Sequence, residues 1–212
     1  MVTFIVVRHG FSKTNARGIF AGATDALLTE QGVKQGQLAC EYIYKNYKVD
    51  AIYSSDLSRA FDTVKPLSEK TGVPIIKKKT LREMDCGVWE NLDIQTLINE
   101  YGEQFKRWGE IDDTAIPDGG ESWLETGERM YNEFINIANE NDNKTVVVAT
   151  HGVAIRALRG KYLGLPLNEW KKIPYAPNAS ITVIQFENGV FTEKVVIDEY
   201  LGDLKTEMPK GI

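Results

Sequence analysis

Apolar positions along the chain follow two rhythms in alternation. Residues 3–7, 51–54 and 145–149 are short β-branched or apolar runs bounded by polar and turn residues, and they predict buried strands. The stretches between them repeat apolar residues at helical spacing. Thr29 is placed to cap a helix that carries Val33, Leu38 and Ile43 to about Tyr47. A second helix is expected from Asp56 toward Lys70, stopped by Gly72-Val73-Pro74, with residues 74–78 as a further candidate strand. Residues 90–108 look weakly helical because Gly102 and Gly109 interrupt the pattern, and 116–120 read as a loop. Amphipathic helices are predicted from Glu121 to about Asn139 and from His151 to Leu163. Asn188-Gly189 separates two strand patterns, 180–186 and 190–197, and predicts a hairpin with a type I′ turn. The polar tail from Asp198 is expected to fray.

Strands alternating with helices and closed by a hairpin point to an α/β fold. The expected architecture is a three-layer α/β/α sandwich around a mostly parallel mixed sheet. The length of 212 residues suits one domain spanning 1–212. The apolar runs stop far short of the roughly 20 residues a membrane helix needs, so no membrane span or membrane partner is expected. The N-terminus lacks a basic start and a small-residue cleavage site, and two cysteines, Cys40 and Cys86, are too few for a disulfide framework. Both features point to a cytoplasmic location. A formal charge of −5, from 25 basic against 30 acidic side chains, argues against a nucleic-acid partner. Any anion pocket must then be assembled locally from a few cations.

Only two histidines are present, His9 and His151, and glycine follows each. In open α/β sheets the ligand sits beyond the carboxyl ends of the strands. There the first strand delivers Arg8-His9-Gly10, the second Ser54-Ser55-Asp56-Leu57-Ser58-Arg59, and the third Thr150-His151-Gly152. Two imidazoles and two guanidiniums at one mouth would repel one another unless they surround a polyanion. Phosphate fits, because guanidinium forks match its oxygens. Two histidines without spaced third and fourth ligands do not make a metal site, so no metal is expected.

These segments are similar to the signature of the histidine phosphatase superfamily, the group that contains phosphoglycerate mutases and acid phosphatases. The stretch from Arg8 through His9, Gly10 and Ser12 to Asn15 resembles its Arg-His-Gly-x-Ser/Thr-x-x-Asn motif. Leu28-Thr29-Glu30-Gln31-Gly32, the run from Ser54 to Thr63, and Leu81-Arg82-Glu83 follow in order. Gly87 with Trp89-Glu90, then Gly119-Gly120-Glu121-Ser122, His151-Gly152 and Asn178-Ala179-Ser180 complete the set. The resemblance implies a phosphoglycerate mutase-like fold and a phosphomonoester hydrolase that needs no cofactor. It implies His9 as a nucleophile forming a phosphohistidine, with Arg8, Arg59 and His151 holding the phosphoryl oxygens. Glu83 would protonate the leaving alkoxide and then serve as the base for water. Ser12, Asn15, Ala21, Gly22 and Gly152 would bind substrate, the backbone N–H groups around Ala21-Gly22 approaching the ligand. The expected ligands are a small-molecule phosphomonoester and inorganic phosphate; the oligomeric state stays open.

Glu83-Met84-Asp85-Cys86-Gly87 stands where the mutases carry Glu-Arg-His-Tyr-Gly, and no paired arginines lie between Trp89 and Gly119. The chain therefore looks like the short branch of broad-specificity, α-ribazole and fructose-2,6-bisphosphatase-type phosphatases, although Asn91 departs from the glycine common there. Residues 89–117 are a candidate lid or specificity insert, acting with Phe11, Lys13, Phe20 and Tyr175. Leu92, Ile94, Leu97, Tyr101, Phe105 and Trp108 are expected over an organic group, while Glu100, Glu103, Glu110, Asp112 and Asp113 disfavour a second phosphate. Small phosphomonoesters with a partly apolar body are the expected substrates. Mutase-type phosphoryl transfer and a catalytically silent phosphate-binding module stand as alternatives.

Overall fold

The structure, a computed structural model, describes residues 1–206. Strands β1 (Val2–Arg8), β2 (Ala51–Ser55), β3 (Ile75–Lys78), β4 (Thr145–Thr150), β5 (Ile181–Glu187) and β6 (Val190–Ile197) form one sheet in the order β3-β2-β4-β1-β5-β6. The first four are mutually parallel; β5 runs antiparallel to β1 and pairs with β6. Asn188 and Gly189 between them both take positive φ, as the expected hairpin turn requires. β4 lies between β1 and β2, with Arg8 opposite Thr150 and Ser54 opposite Ala149. That register carries the chain segments that follow β1, β2 and β4 out at the same end of the sheet.

The helices are α1 (Lys13–Ala16), α2 (Glu30–Asn46), α3 (Ser58–Thr71), α4 (Ile94–Gly109), α5 (Trp123–Glu140) and α6 (Gly152–Tyr162). Alternation along the strands divides the core between the two faces of the sheet. Phe4, Val6, Tyr53, Val146 and Val148 pack with Met130, Phe134 and Ile137 of α5 and Ile155 and Leu158 of α6. Ile5, Val7, Ile52, Val147 and Ala149 pack with Cys40 and Ile43 of α2 and Val64 and Leu67 of α3. Each Val, Leu, Ile, Phe or Met side chain among these, fully buried, contributes about 1.5–3 kcal/mol of transfer free energy. The three-layer sandwich around a mostly parallel mixed sheet is the architecture expected from the pattern.

Local chemistry sets the helix ends, and it moves several of them from where periodicity put them. Thr29 caps α2 by accepting the Gly32 N–H at 3.0 Å, and Ser122 forms a capping box with Glu125 on α5. α3 starts at Ser58, not Asp56, because both carboxylate oxygens of Asp56 are taken by Arg82, at 2.6 and 2.7 Å. α4 starts at Ile94, where Asp93 accepts the Thr96 N–H at 2.8 Å, and it passes Gly102 unbroken. Its apolar stripe of Leu97, Tyr101, Phe105 and Trp108 joins a third cluster with Met84, Trp89, Trp123 and Trp170, and that packing outweighs the glycine. α1 was not foreseen; Ser12 caps it.

The tail from Asp198 packs instead of fraying as far as it is described. Leu201 is buried, Tyr200 stacks on Tyr42 at 5.0 Å, and the Leu204 carbonyl accepts from Gln31 and Gln35. Residues 207–212 of that tail lie outside the described residues. No helix among the described residues is long and apolar enough to cross a membrane.

Candidate active site

The segments at the ends of β1, β2 and β4 meet at a cavity of about 250 Å³. Of the residues expected at the site, Arg8, His9, Asn15, Ala21, Arg59, Glu83 and Gly152 line it. Ser12, Gly22 and His151 do not. Arg8, His9 and Arg59 are at most 4% exposed and His151 is fully buried.

His9 forms a hydrogen bond between Nδ1 and the carbonyl of Gly10 at 2.7 Å. A carbonyl can only accept, so Nδ1 carries the hydrogen and Nε2 is left with its lone pair. The ring of His151 lies 5.2 Å away, centroid to centroid, at an interplanar angle of 60°. Here the donor is Arg59, whose Nε–H reaches His151 Nδ1 at 3.2 Å. His151 must therefore carry its hydrogen on Nε2, a buried donor with no partner among the described residues. Burial holds both imidazoles well below the ordinary histidine range, and the charges of Arg59 and Arg8 push in the same direction. The two histidines thus stand neutral as opposite tautomers, one presenting an acceptor and the other a donor.

The guanidiniums are held from behind. Arg8 donates from Nη1 to the Ala176 carbonyl at 2.6 Å. Burial pushes it down to about 10, opposed by the nearby Glu83 carboxylate, so it remains charged at neutral pH. A Cβ on Gly152 would lie 3.1 Å from Arg8 Nε, which explains the glycine where α6 begins. Arg59 donates to the carbonyls of Thr24, Ala21 and Gly22 at 2.8, 2.9 and 3.1 Å, and burial lowers it as well. The loop that supplies those carbonyls turns its N–H groups the other way. Gly22, Ala23 and Thr24 all donate to the Glu90 carboxylate, at 2.8, 2.8 and 3.1 Å. The Gly22 N–H expected to face a ligand is therefore committed to Glu90. The glycine is needed because a Cβ there would meet the Met84 carbonyl at 1.9 Å.

Glu83 faces the cavity from the N-terminus of α6, accepting the N–H groups of Ala154 at 2.7 Å and Val153 at 3.0 Å, with Met84 N–H at 3.0 Å. Its position is set by neighbours on both sides. Arg82 is tied to Asp56, Asp85 N–H donates to Glu121 at 3.0 Å, and Arg129 donates to the carbonyls of Thr80, Arg82 and Glu83. Arg129 is itself held by Glu121 at 2.6 and 2.7 Å. Glu121 thus supports the Glu83 segment and does not line the cavity. Ser12 is likewise a support: its hydroxyl meets Thr14 Oγ1 at 2.9 Å and accepts the Asn15 N–H at 3.2 Å. Asn15 Oδ1 accepts from Ser12 N–H and from Asn178 Nδ2, each at 3.2 Å, leaving its own Nδ2 uncommitted among the described residues.

Asn178, Glu90 and Arg129 were not among the expected site residues. Asn178 stands in a motif segment already noted, and Glu90 in another; their positions in the signature were the available signal. Arg129 had none, because the carbonyls it binds lie 46 to 49 residues away. Within the candidate insert 89–117, Ile94 and Trp108 reach the cavity, whereas Leu97, Phe105 and Trp89 are buried among one another and Phe20. Among the described residues, no group of three or more His, Cys, Asp or Glu side chains is placed to hold a metal ion.

An α/β sheet that gathers paired neutral imidazoles, two buried guanidiniums and a helix-anchored carboxylate at one mouth defines a phosphatase. A model of the histidine phosphatase superfamily, branch 1, matches residues 4–199, and the chain belongs to that family. Phosphoserine phosphatase 1 of Hydrogenobacter thermophilus is 32% identical over 215 residues, covering 100% of both chains. Among solved structures, Bacillus stearothermophilus YhfR superposes with a TM-score of 0.88 at 26% identity, covering 92% of this chain and 96% of that one. The mycobacterial glucosyl-3-phosphoglycerate phosphatase Rv2419c has a TM-score of 0.82 at 29% identity, covering 91% and 97%.

Proposed function

We propose that this phosphatase acts on small phosphorylated metabolites in the cytoplasm, without a metal, through a phosphohistidine on His9. The bond that pins hydrogen on Nδ1 of His9 carries the reading, because it leaves Nε2 as the bare nitrogen of a ring that lines the cavity. In the proposed reaction Nε2 attacks phosphorus in line as the ester P–O bond breaks. Charge on the transferring phosphoryl oxygens falls to Arg8 and Arg59, which line the cavity, with the Nε2–H of His151, buried outside the lining and unpartnered among the described residues, as a further donor. Loss of one such donor raises the barrier by about 2.7–4 kcal/mol. Glu83 gives a proton to the leaving oxygen, then takes one from the water that cleaves the N–P bond and releases inorganic phosphate. Asn15 contributes its free Nδ2 donor, and Gly152 makes room for Arg8.

The test is turnover of p-nitrophenyl phosphate in a chelator, with rapid quench for an acid-labile phosphate adduct. Wild type should turn over and accumulate the adduct, and His9→Ala should do neither. Glu83→Gln should slow alkyl phosphates far more than p-nitrophenyl phosphate, whose leaving group needs no proton. Retained turnover in His9→Ala would overturn the nucleophile assignment. Stoichiometric binding without release would favour the silent module. Isomerisation of 3-phosphoglycerate primed with the 2,3-bisphosphate would favour the mutase.

A further inference from the structure

The cavity has two chemically different ends. Arg8, His9, Arg59 and Glu83 belong to one, and the rest of the wall carries Phe11, Ile19, Phe20, Ile94, Trp108 and Val153 with only neutral polar groups among them, from Thr14, Asn15, Tyr175 and Asn178. Among the described residues, every cation that lines the cavity belongs to the phosphoryl end. Lys13, Arg17 and Arg107, basic side chains within two positions of the apolar wall in sequence, are exposed and stand outside the lining. Arg59 is fixed at the phosphoryl end by His151 and by the carbonyls of Ala21, Gly22 and Thr24. The Thr14 hydroxyl is paired with Ser12.

The apolar wall is also fixed in place. Residues 18–20 are zipped to 91–94 through Phe20 N–H to the Leu92 carbonyl, Asn91 N–H to the Phe20 carbonyl and Ile94 N–H to the Gly18 carbonyl, at 2.9, 2.9 and 3.1 Å. The Phe20 ring meets Phe105 and Trp108 edge-on, each at 5.4 Å. A second anionic group on a substrate would sit against this wall without its water, with no cation to receive it and with the Glu83 carboxylate sharing the space. An uncharged apolar body would instead leave water for a preformed apolar surface.

We infer that the substrates are phosphate monoesters of uncharged alcohols with an apolar or aromatic body, and that a carboxylate or second phosphate is selected against. The inference rests on the phosphatase reading above and names the substrate class of the same cavity. It departs from the phosphoserine and glucosyl-3-phosphoglycerate named for the similar phosphatases.

The experiment compares kcat/KM of the full chain for 2-phenylethyl phosphate and O-phospho-L-serine, both esters of primary alcohols, alongside 3-phosphoglycerate, fructose 1,6-bisphosphate and p-nitrophenyl phosphate. The phenylethyl ester should exceed each anionic alkyl ester at least tenfold, a difference of about 1.4 kcal/mol. Equal or faster turnover of phosphoserine, 3-phosphoglycerate or the bisphosphate overturns this inference and leaves the phosphatase reading intact. Turnover of p-nitrophenyl phosphate alone also overturns it, whereas no turnover of any ester overturns the reading beneath it. Ile94→Lys, or Ile19→Lys if the first does not fold, should move the preference toward phosphoserine at least tenfold. An unmoved ratio would show that the apolar wall does not face the substrate body.

Discussion

Glu90 holds together the two halves of the site, and its removal has a calculable cost. Its Oε1 accepts from Gly22, Ala23 and Cys86, and its Oε2 from Thr24, so one carboxylate binds the loop that Arg59 grips from the other side to the segment that bears Glu83. Hydrogen bonds to a charged group are worth about 1.5–3 kcal/mol each in net terms. Four such bonds would sum to more than a half-buried site can deliver, because water reaches the freed N–H groups and the terms are not additive. We therefore expect Glu90→Ala to cost about 3 kcal/mol, lowering Tm by about 6–12 °C for a chain of this length. Glu90→Gln keeps an acceptor for Gly22, Ala23 and Cys86 but turns an NH₂ toward the Thr24 N–H, so it should cost about half as much. With the loop released, kcat/KM for p-nitrophenyl phosphate should fall about tenfold in the alanine variant. Urea unfolding and steady-state kinetics measure both quantities. A Glu90→Ala protein within about 0.5 kcal/mol of wild type, the range of ordinary surface changes, would show that the loop is held without Glu90.

Acid should weaken the fold through the two histidines. Because burial holds both well below the ordinary value of 6.5, the unfolded chain binds protons that the folded chain refuses once the pH falls below about 6.5. Stability is complete above that value and is lost as pH falls, at about 1.4 kcal/mol per pH unit for each histidine. Urea unfolding between pH 7 and 5 should show this slope, reduced by about half in His9→Asn; equal slopes would refute it. Gly152→Ala places a methyl 3.1 Å from the Nε of a guanidinium already bound to Ala176, and should lower kcat/KM about tenfold with little change in Tm. If activity is unchanged, Arg8 has room that the packing denies. Arg129→Met removes the donors to the Thr80, Arg82 and Glu83 carbonyls and should steepen the dependence of kcat on leaving-group acidity, as a displaced Glu83 would. A uniform loss across all esters would make Arg129 a support for binding alone.

The parts of this protein that depend on local pattern were legible in the chain. β1, β2 and β4 are short and buried on both faces, so their apolar runs declare them without reference to anything distant. Thr29 and Asn188-Gly189 name a cap and a turn because hydrogen bonds within a few residues decide those features. The Arg8-His9-Gly10 and His151-Gly152 pairs could be placed at a common mouth once the strands were taken as parallel. Sequence therefore determined the layered architecture and brought His9, Arg59, Glu83 and His151 under consideration together. It did not place Asp56, Glu90, Glu121 or Arg129, each of which has a partner 26 to 68 residues away in the chain. Nor did it show that α4 would run through Gly102, because the aromatic cluster that overrides that glycine joins α4 to Phe20, Trp89, Trp123 and Trp170, all far apart in the chain. Which tautomer each imidazole holds was also beyond it. A neutral ring accepts on one nitrogen and donates on the other, and only the tertiary neighbours, a carbonyl at Gly10 and a guanidinium at Arg59, determine which.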